Sequence, residues 1–316
     1  MKSKQSAQKQ LLLPSKIRQM FDLSKKRWQW AAMLFMAFVW GASFILMKRG
    51  LDALSYVQVA ALRIFFSFLI LLPLSIKNLK HINRNNFWPL LWCGLLGNFF
   101  PAFLFTLSET QITSSLAGIL NGLTPFFTVI AGLLLFKHKP NVFQTIGVIV
   151  GFTGASILIT NGNFSSFGHV NLYALLVVLA TMMYGINSNI IRFKLSGLTG
   201  VQITSLIFFM IGIPAGVILM LTDIAAATQH PAFASSILAT IVLATFGSVL
   251  TLFVFNNLIH HTSAIFASSV TYIIPFFALL WGILDGDHIG TLQIISLIVI
   301  LIGVYLSSLR RKPKLL

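Results

Sequence analysis

Ten apolar segments, each close to the length of a membrane-spanning helix, cover most of this chain. They lie at residues 30–47, 57–76, 87–107, 111–136, 142–160, 171–190, 199–222, 234–256, 262–284 and 289–309. A helix needs about 20 mostly apolar residues to cross the hydrocarbon core of a bilayer. Because backbone groups in that core find no water, they must pair within the chain, and a helix satisfies them segment by segment. The pattern predicts an all-α membrane protein with ten transmembrane helices.

Composition and net charge restrict the partners of such a chain. It is 57% hydrophobic and only 9% charged, which leaves too little polar surface for a soluble domain. A net charge of +16 is compatible with nucleic acid, but the basic residues are spread over short gaps and tails. Positive charge placed there suits the anionic inner leaflet of a membrane. We therefore expect the lipid bilayer as a partner and no nucleic acid.

The lysines and arginines fall almost entirely on one side of the predicted helices. Nineteen of the 22 lie in the N-terminal arm, in alternate gaps or in the C-terminal tail. Lys48 and Arg49 lie on the opposite side, and Arg63 lies inside the second segment. Of the six acids, only Asp22 joins the basic side. Since basic loops stay in the cytoplasm, this asymmetry predicts that both termini are cytoplasmic.

The chain repeats itself, in order, after its fifth segment. Trp40–Phe44 near the end of the first segment aligns with Tyr184–Ser188 in the sixth. Thr124–Phe127 in the fourth segment aligns with Ile274–Phe277 in the ninth, and each carries a proline followed by two phenylalanines. Five spans per copy is an odd number, so the second copy must enter the membrane the other way up. Inverted five-helix repeats are typical of secondary transporters, whose substrate site lies near the membrane midplane.

This repeat divides the chain into four parts. Residues 1–29 form a basic cytoplasmic arm, and residues 310–316 form a basic cytoplasmic tail. Residues 30–160 hold the first five-helix repeat, and residues 169–309 hold the second. The gaps between the segments are too short to hold a soluble domain.

At these residues the chain resembles the EamA branch of the drug/metabolite transporter superfamily. The resemblance rests on the Trp40–Phe44 stretch followed by Lys48, on Arg63, and on the proline-centred fourth and ninth segments. The family commonly has a glutamate just after each proline-centred segment, and here those places hold His138 and Asp287. The resemblance implies a ten-helix carrier in the bacterial inner (plasma) membrane that exports small metabolites.

The repeat and the resemblance together predict a secondary carrier that works by alternating access. Small multidrug-resistance relatives expel cations with a carboxylate in their first helix, but the aligned place here falls near Trp40. Lys48 and Arg63 bring positive charge to this region instead. We therefore expect a small neutral, zwitterionic or anionic solute, such as an amino acid, moved by a monomer or homodimer. An ion or solute channel and a multidrug efflux carrier stay open as alternatives.

Pro125 and Pro275, at matching places in the two copies, are the strongest indication of a substrate site. A proline inside a helix removes one backbone hydrogen bond and frees the carbonyl four residues earlier. Broken helices in both halves of a transporter point to its binding site, although a packing kink is the structural alternative. The polar residues around the breaks are expected to bind substrate: Asn121, Thr124, Thr271 and Tyr272.

Matched residues of the first and sixth segments form a second candidate set for the substrate. Trp40 and Tyr184 are suited to enclose a ligand, and Ser43 and Asn187 are suited to hydrogen-bond it. Asn98 in the third segment is a further candidate. Anchoring of aromatic rings at the membrane interface and polar contacts between helices are the alternatives for these residues.

Arg63 is the one formal charge well inside a predicted span. A charged side chain costs about 2.5–3.5 kcal/mol at the centre of an inserted helix, so it indicates a partner or a function. Glu109 at the outer rim is the predicted partner, either in a gating pair or in a structural ion pair. Asp52 and a carboxylate on the substrate are the alternatives.

Enzymatic functions fit the sequence poorly. Asp285-Gly286-Asp287 has the glycine–aspartate of intramembrane aspartyl proteases, but no second aspartate lies in another span, and a carboxyl dyad needs two. His260 and His261 are adjacent, so a helix points them about 100° apart. The sequence has no H-E-x-x-H motif, phosphate loop or Cys/His cluster. We therefore expect no enzyme activity, no metal and no cofactor.

Overall fold

The computed structural model describes residues 25–136, 142–159, 171–261 and 269–308, together with Leu23. Most of the predicted N-terminal arm and all of the tail lie outside these residues. The helices are α1 (Lys26–Gly50), α2 (Tyr56–Asn78), α3 (Arg84–Gly94), α4 (Phe100–Ser108), α5 (Ser114–Asn121), α6 (Thr124–Phe136), α7 (Val142–Ile159), α8 (Leu172–Lys194), α9 (Gly200–Met220), α10 (Ile224–Ala227), α11 (Phe233–Val242), α12 (Thr251–His261), α13 (Ile274–Leu284) and α14 (Thr291–Ser308). Two π-helical segments, Leu95–Phe99 and Leu243–Leu250, join α3 to α4 and α11 to α12. Short 3₁₀ helices form at Leu79–His81 and Ser269–Tyr272.

Several stretches of helix are long and apolar enough to cross a membrane, which makes the chain an all-helical integral membrane protein. There are seven among the described residues: Lys26–Gly50, Tyr56–His81, Arg84–Ser108, Ser114–Phe136, Leu172–Lys194, Gly200–Met220 and Phe233–Phe255. Three further apolar helices are shorter, and they lie within α7, α13 and α14. The predicted count of ten needs these three to cross the membrane as well, and it stays a prediction.

The outer surface of the bundle is apolar. Leu134, Phe152 and Ile298 are large side chains that are more than half exposed. A soluble protein rarely exposes an apolar surface of this extent, whereas lipid tails are as apolar as leucine and solvate it well. Met36 of α1, by contrast, is fully buried in a core cluster, because it lies on the face of α1 that packs against other helices.

Capping boxes start α2 and α9, at places that align between the two halves of the chain. The Ser55 hydroxyl accepts a hydrogen bond from the Gln58 N–H at 3.3 Å, and the Gln58 side chain accepts one from the Ser55 N–H at 2.9 Å. Thr199 and Gln202 make the same reciprocal pair at 3.2 and 2.8 Å. Each cap satisfies N–H groups that a helix start leaves unpaired and contributes about 1 kcal/mol.

Glycines bring the helices into close contact, again at aligned places. A Cβ on Gly41 of α1 would lie 2.6 Å from the Cβ of Phe277 in α13. A Cβ on Gly185 of α8 would lie 2.6 Å from the backbone carbonyl carbon of Phe127 in α6. Small residues let membrane helices approach each other this closely. The contact of α1 with α13 therefore has a counterpart in the contact of α8 with α6.

Gly41→Ala and Gly185→Ala should each destabilise the folded protein. The added methyl group has no room unless a helix moves, and overpacking of this kind costs about 1–3 kcal/mol. Thermal unfolding of the purified protein in detergent measures the effect. Gly197→Ala is the matched control, because a Cβ there would meet nothing within 4 Å. Equal stability of all three variants would contradict the packing of α1 and α8 described here.

Candidate transport site

The helices break just before Pro125 and just before Pro275. In the first half, α5 ends at Asn121 and α6 begins at Thr124. In the second half, a 3₁₀ helix ends at Tyr272 and α13 begins at Ile274. Proline causes such breaks because it lacks an N–H and disfavours a helical conformation in the residue before it.

The two breaks lie side by side. A Cβ on Gly122, inside the first break, would lie 3.2 Å from Cγ of Pro275 at the second break. The Thr124 hydroxyl donates a hydrogen bond to the Asn121 carbonyl at 2.9 Å, which occupies an acceptor that the break exposes. The Asn121 side chain is buried beside it. The first break therefore meets the second break at Gly122, one residue from Asn121.

The second break holds two of the predicted substrate residues. Thr271 and Tyr272 lie in its 3₁₀ helix, and Thr271 is half-buried. The side chain of Tyr272 lies outside what the structure describes. Their predicted roles in substrate binding stay predictions.

Trp40 and Ser43 of α1 lie against the second π-helical segment, Leu243–Leu250. The Trp40 indole donates a hydrogen bond to the Gly247 carbonyl at 2.9 Å, and its ring lies 5.7 Å from that of Phe255. The buried Ser43 hydroxyl donates to the Val39 carbonyl at 3.1 Å. A Cβ on Gly247 would lie 2.9 Å from that hydroxyl, so the glycine allows the contact.

Tyr184 and Asn187 of α8 lie against α4 and the first π-helical segment, Leu95–Phe99. Tyr184 stacks on Phe105 with the ring centroids 6.0 Å apart. Asn187 packs against Gly97, where a Cβ would lie 2.7 Å from its Cγ. The half-buried Asn98 belongs to the same π-helical segment. Within the described part of the chain, the buried Oδ1 of Asn187 accepts no hydrogen bond.

Sequence reasoning missed both π-helical segments. A π-helical turn holds one residue more than an α-helical turn, and such turns are frequent at functional sites. Their signal is a glycine followed by a polar residue at aligned places, Gly97-Asn98 and Gly247-Ser248. Each segment faces the predicted residue pair of the helix opposite, Tyr184 with Asn187 and Trp40 with Ser43.

Ion pairs tie α1 to the turn after α13. Lys48 Nζ lies 3.2 Å from Asp287 Oδ1 and 4.0 Å from Asp285 Oδ2. Arg49 pairs with Asp285, and it also lies 3.5 Å from Asp52. We call these five residues the ion-pair cluster. The sequence predicts that all five lie on one side of the membrane, but it does not indicate which of them form ion pairs.

Asp287 is the centre of the cluster. Its Oδ2 accepts hydrogen bonds from the Ser115 hydroxyl at 2.8 Å, the Ser115 N–H at 3.1 Å and the Ser114 hydroxyl at 3.2 Å. Burial raises the pKa of the Asp287 carboxyl, but the bonds from Ser115 and the charge of Lys48 outweigh burial and leave this pKa below its ordinary value. The carboxylate therefore stays charged and joins the start of α5 to α1 and α13.

Arg63 does not touch its predicted partner. Its Nε donates to the Ser248 hydroxyl at 3.3 Å, and one terminal nitrogen lies 3.7 Å from the sulfur of Met47. No hydrogen bond joins Arg63 to Glu109 in this structure, and Asp52 pairs with Arg49, so the charge pair of Arg63 stays a prediction. Arg63 turns instead toward the second π-helical segment.

Glu109, directly after α4, is buried without a hydrogen bond. Its side chain is 4% exposed. Neither carboxyl oxygen has a hydrogen-bond partner within the described residues. Burial raises the pKa of this carboxyl well above its ordinary value, although the positive charges of Lys48 and Arg63 act to lower it. The acid is at a helix end, as the sequence indicates, but its burial was not predicted.

Comparison with known proteins places this chain among membrane transporters. The family model described as the EamA-like transporter family matches residues 27–160 and again residues 171–309. A protein of Escherichia coli K12 named uncharacterized inner membrane transporter YedA is 26% identical over 291 residues, which cover 88% of this chain and 90% of that protein. The Bacillus subtilis protein named uncharacterized transporter YrdR is 22% identical and covers 87% of this chain and 89% of its own length.

A solved crystal structure has a similar fold. It covers 90% of this chain and 98% of its own, with a TM-score of 0.58 at 11% sequence identity, so the likeness concerns the fold alone. The family model, by contrast, matches two stretches that together span most of the chain. This protein belongs to the EamA-like transporter family.

Proposed function

We propose that this protein is a secondary carrier that exports a small neutral, zwitterionic or anionic metabolite, such as an amino acid, by alternating access. The observation that carries the proposal is the contact between the two helix breaks, Gly122 against Pro275. Broken helices that meet at the interface of two repeats form the substrate sites of many secondary transporters.

The proposed carrier has ten spans, arranged as two inverted five-helix repeats. The seven long spans and the three shorter apolar helices add up to that number. Matched contacts support the repeat, because Gly41 with Phe277 and Gly185 with Phe127 are the same contact made by opposite halves. With basic loops in the cytoplasm, both termini are cytoplasmic and the ion-pair cluster faces outward.

Alternating access needs one closed end and one end that differs from it. The ion pairs formed among the described residues all belong to the cluster that joins α1 and α13. At the opposite end the residue aligned with Lys48 is Arg192, whose guanidinium lies over the Phe193 ring at 5.0 Å. The ion pairs at the end of α1 and the absence of an ion pair to Arg192 within the described residues support a carrier that is closed to the outside. A bundle that is closed at one end argues against a permanent channel.

The charges near one end of α1 and α2 support the proposed substrate class. Lys48 and Arg63 are cationic. The ionised carboxylate of Asp287 is already paired with Lys48 and accepts a hydrogen bond from the Ser115 N–H. Such a site repels lipophilic cations and accepts solutes that carry a carboxylate. The burial of Glu109 is the observation in favour of a multidrug carrier, because small multidrug-resistance relatives expel cations with a carboxylate.

Uptake by reconstituted vesicles separates the two substrate classes. The probes are a labelled mixture of protein amino acids and the lipophilic cation tetraphenylphosphonium. We expect uptake of a component of the mixture and no uptake of the cation. Metabolite profiling of the medium from cells that overproduce or lack the protein then identifies the exported solute. Uptake of tetraphenylphosphonium that Glu109→Gln abolishes would contradict the proposed class.

Asn121→Ala and Asn187→Ala should lower transport without lowering the amount of folded protein. Both side chains lie at the proposed site, and each amide is expected to contribute a hydrogen bond to the substrate of about 1 kcal/mol, or several-fold in kcat/KM. Uptake of the identified solute by vesicles measures the loss. Asn85→Ala is the matched control, since Asn85 is exposed away from the breaks. Unchanged transport by both site variants would show that these asparagines serve packing.

Thr110→Cys should react with an impermeant maleimide added outside intact cells, and Asn85→Cys should not. Both residues are exposed, and the proposed topology places them on opposite sides of the membrane. Each substitution is made in a Cys93→Ala background, because Cys93 is the natural cysteine of the chain. Permeabilised cells should label both positions. The reverse pattern in intact cells would overturn the proposed orientation.

A further inference from the structure

Glu109 differs from every other acid at the ion-pair end of the molecule. Asp287 accepts hydrogen bonds from Lys48, Ser114 and Ser115. Glu109 is buried, yet none of the described residues donates to either of its oxygens. Asp287 therefore lies among donors that stabilise its negative charge, whereas Glu109 receives no hydrogen bond from the described residues.

An ionised carboxylate at the position of Glu109 would be strongly disfavoured. Removing an ion from water costs several kcal/mol in a real protein unless partners replace the water. A neutral carboxyl group avoids most of this cost, because its burial penalty is that of an ordinary polar group. The packing around Glu109 therefore favours the protonated acid.

The charged groups that face Glu109 do not reverse this preference. Lys48 on α1 and Arg63 on α2 favour the anion, and Asp287 opposes it. Both cations are engaged elsewhere, Lys48 with Asp287 and Arg63 with Ser248. Tyr184 on α8 is a titratable neighbour of Arg63, and it is not among the groups that shift the pKa of Glu109. No contact of these groups satisfies the carboxyl oxygens within the described residues.

We propose that Glu109 is a proton-binding site, occupied while the ion-pair end of the carrier is closed and emptied when that end opens to water. The inference rests on the alternating access proposed above, and it deepens that proposal by naming a proton as a ligand of the cycle. Opening exposes the carboxyl group to water, which stabilises its anion and releases the proton. Closing removes the water and requires a proton to return.

This linkage has a definite sign. Because burial raises the pKa of Glu109 in the closed state, the closed state binds more protons than the open state. Protonation of Glu109 stabilises the closed state relative to the open state, and this stabilisation is complete below the ordinary glutamate pKa of about 4.3. It declines as the pH rises from that value through the raised pKa of the closed state. One linked proton changes the ratio of open to closed protein by at most about tenfold per pH unit.

A buried cysteine at the closed end reports on opening. Ile112, in the turn after Glu109, is 6% exposed. Ile112→Cys in a Cys93→Ala background should react with an impermeant maleimide only when the end opens. Its labelling rate is divided by that of Thr110→Cys, an exposed position two residues away, because thiol reactivity itself rises with pH. The ratio is measured from about pH 5 to about pH 8, a range above the ordinary glutamate pKa.

We expect the ratio to rise with pH in the reporter protein and to stay low and flat when Glu109→Gln or Glu109→Met is added. Methionine tests whether the effect depends on charge rather than on the amide. Asp52→Asn is the matched control, because it removes an acid of the same end that is 40% exposed and paired with Arg49. That variant should keep the pH dependence. A flat ratio with Glu109 present, or an unchanged slope in both neutral variants, would overturn the proposal.

The assay separates this inference from the proposed function. Labelling requires no substrate, so a protein that transports none of the probes still reports whether Glu109 links protonation to opening. Conversely, vesicles that transport an amino acid with the same pH dependence before and after Glu109→Gln would leave the carrier intact and remove the proton site.

Discussion

The interior of this bundle depends on one constraint, which is that a backbone carbonyl without its helical partner must find another donor inside the protein, because lipid supplies none. The Asn121 carbonyl at the first helix break receives the Thr124 hydroxyl. The Gly247 carbonyl in the second π-helical segment receives both the Trp40 indole and the Thr251 hydroxyl, at 2.9 and 2.7 Å. Irregular backbone is thereby held in place by side chains, and two of those side chains, Thr124 and Trp40, are among the predicted substrate residues.

Under the same constraint, buried polar groups that lack a partner among the described residues indicate a function. A buried acceptor without a hydrogen bond costs about 1–3 kcal/mol, so few are retained without a function. Asn187 has such an acceptor beside the first π-helical segment, where a solute is expected. Glu109 has two of them beside the ion-pair cluster, where a proton suffices. The chemistry of each group matches the ligand that we propose for its place.

The parts of the fold that depend on local chemistry could be predicted from the sequence. Long apolar segments indicate helices, and Pro125 and Pro275 indicate breaks, because proline acts on its own turn of helix. The π-helical segments could not be predicted in this way, since they depend on Gly97 and Gly247 packing against residues of distant helices. Ion pairs raise the same difficulty, because Lys48 and Asp287 lie 239 residues apart in the chain.

Charge differences between the two halves of the chain explain how the proposed symmetric carrier can favour one state. Lys48 and Asp287 attract each other at one end, whereas the residues aligned with them, Arg192 and His138, include no acid. The bias is modest, because the Lys48 and Arg49 side chains are 34% and 54% exposed. Exposed ion pairs contribute about 0–1 kcal/mol each. On the proposed mechanism a modest bias is required, because a carrier works only when both of its states are populated. A protonated Glu109 would add to that bias, and its loss on opening would remove it.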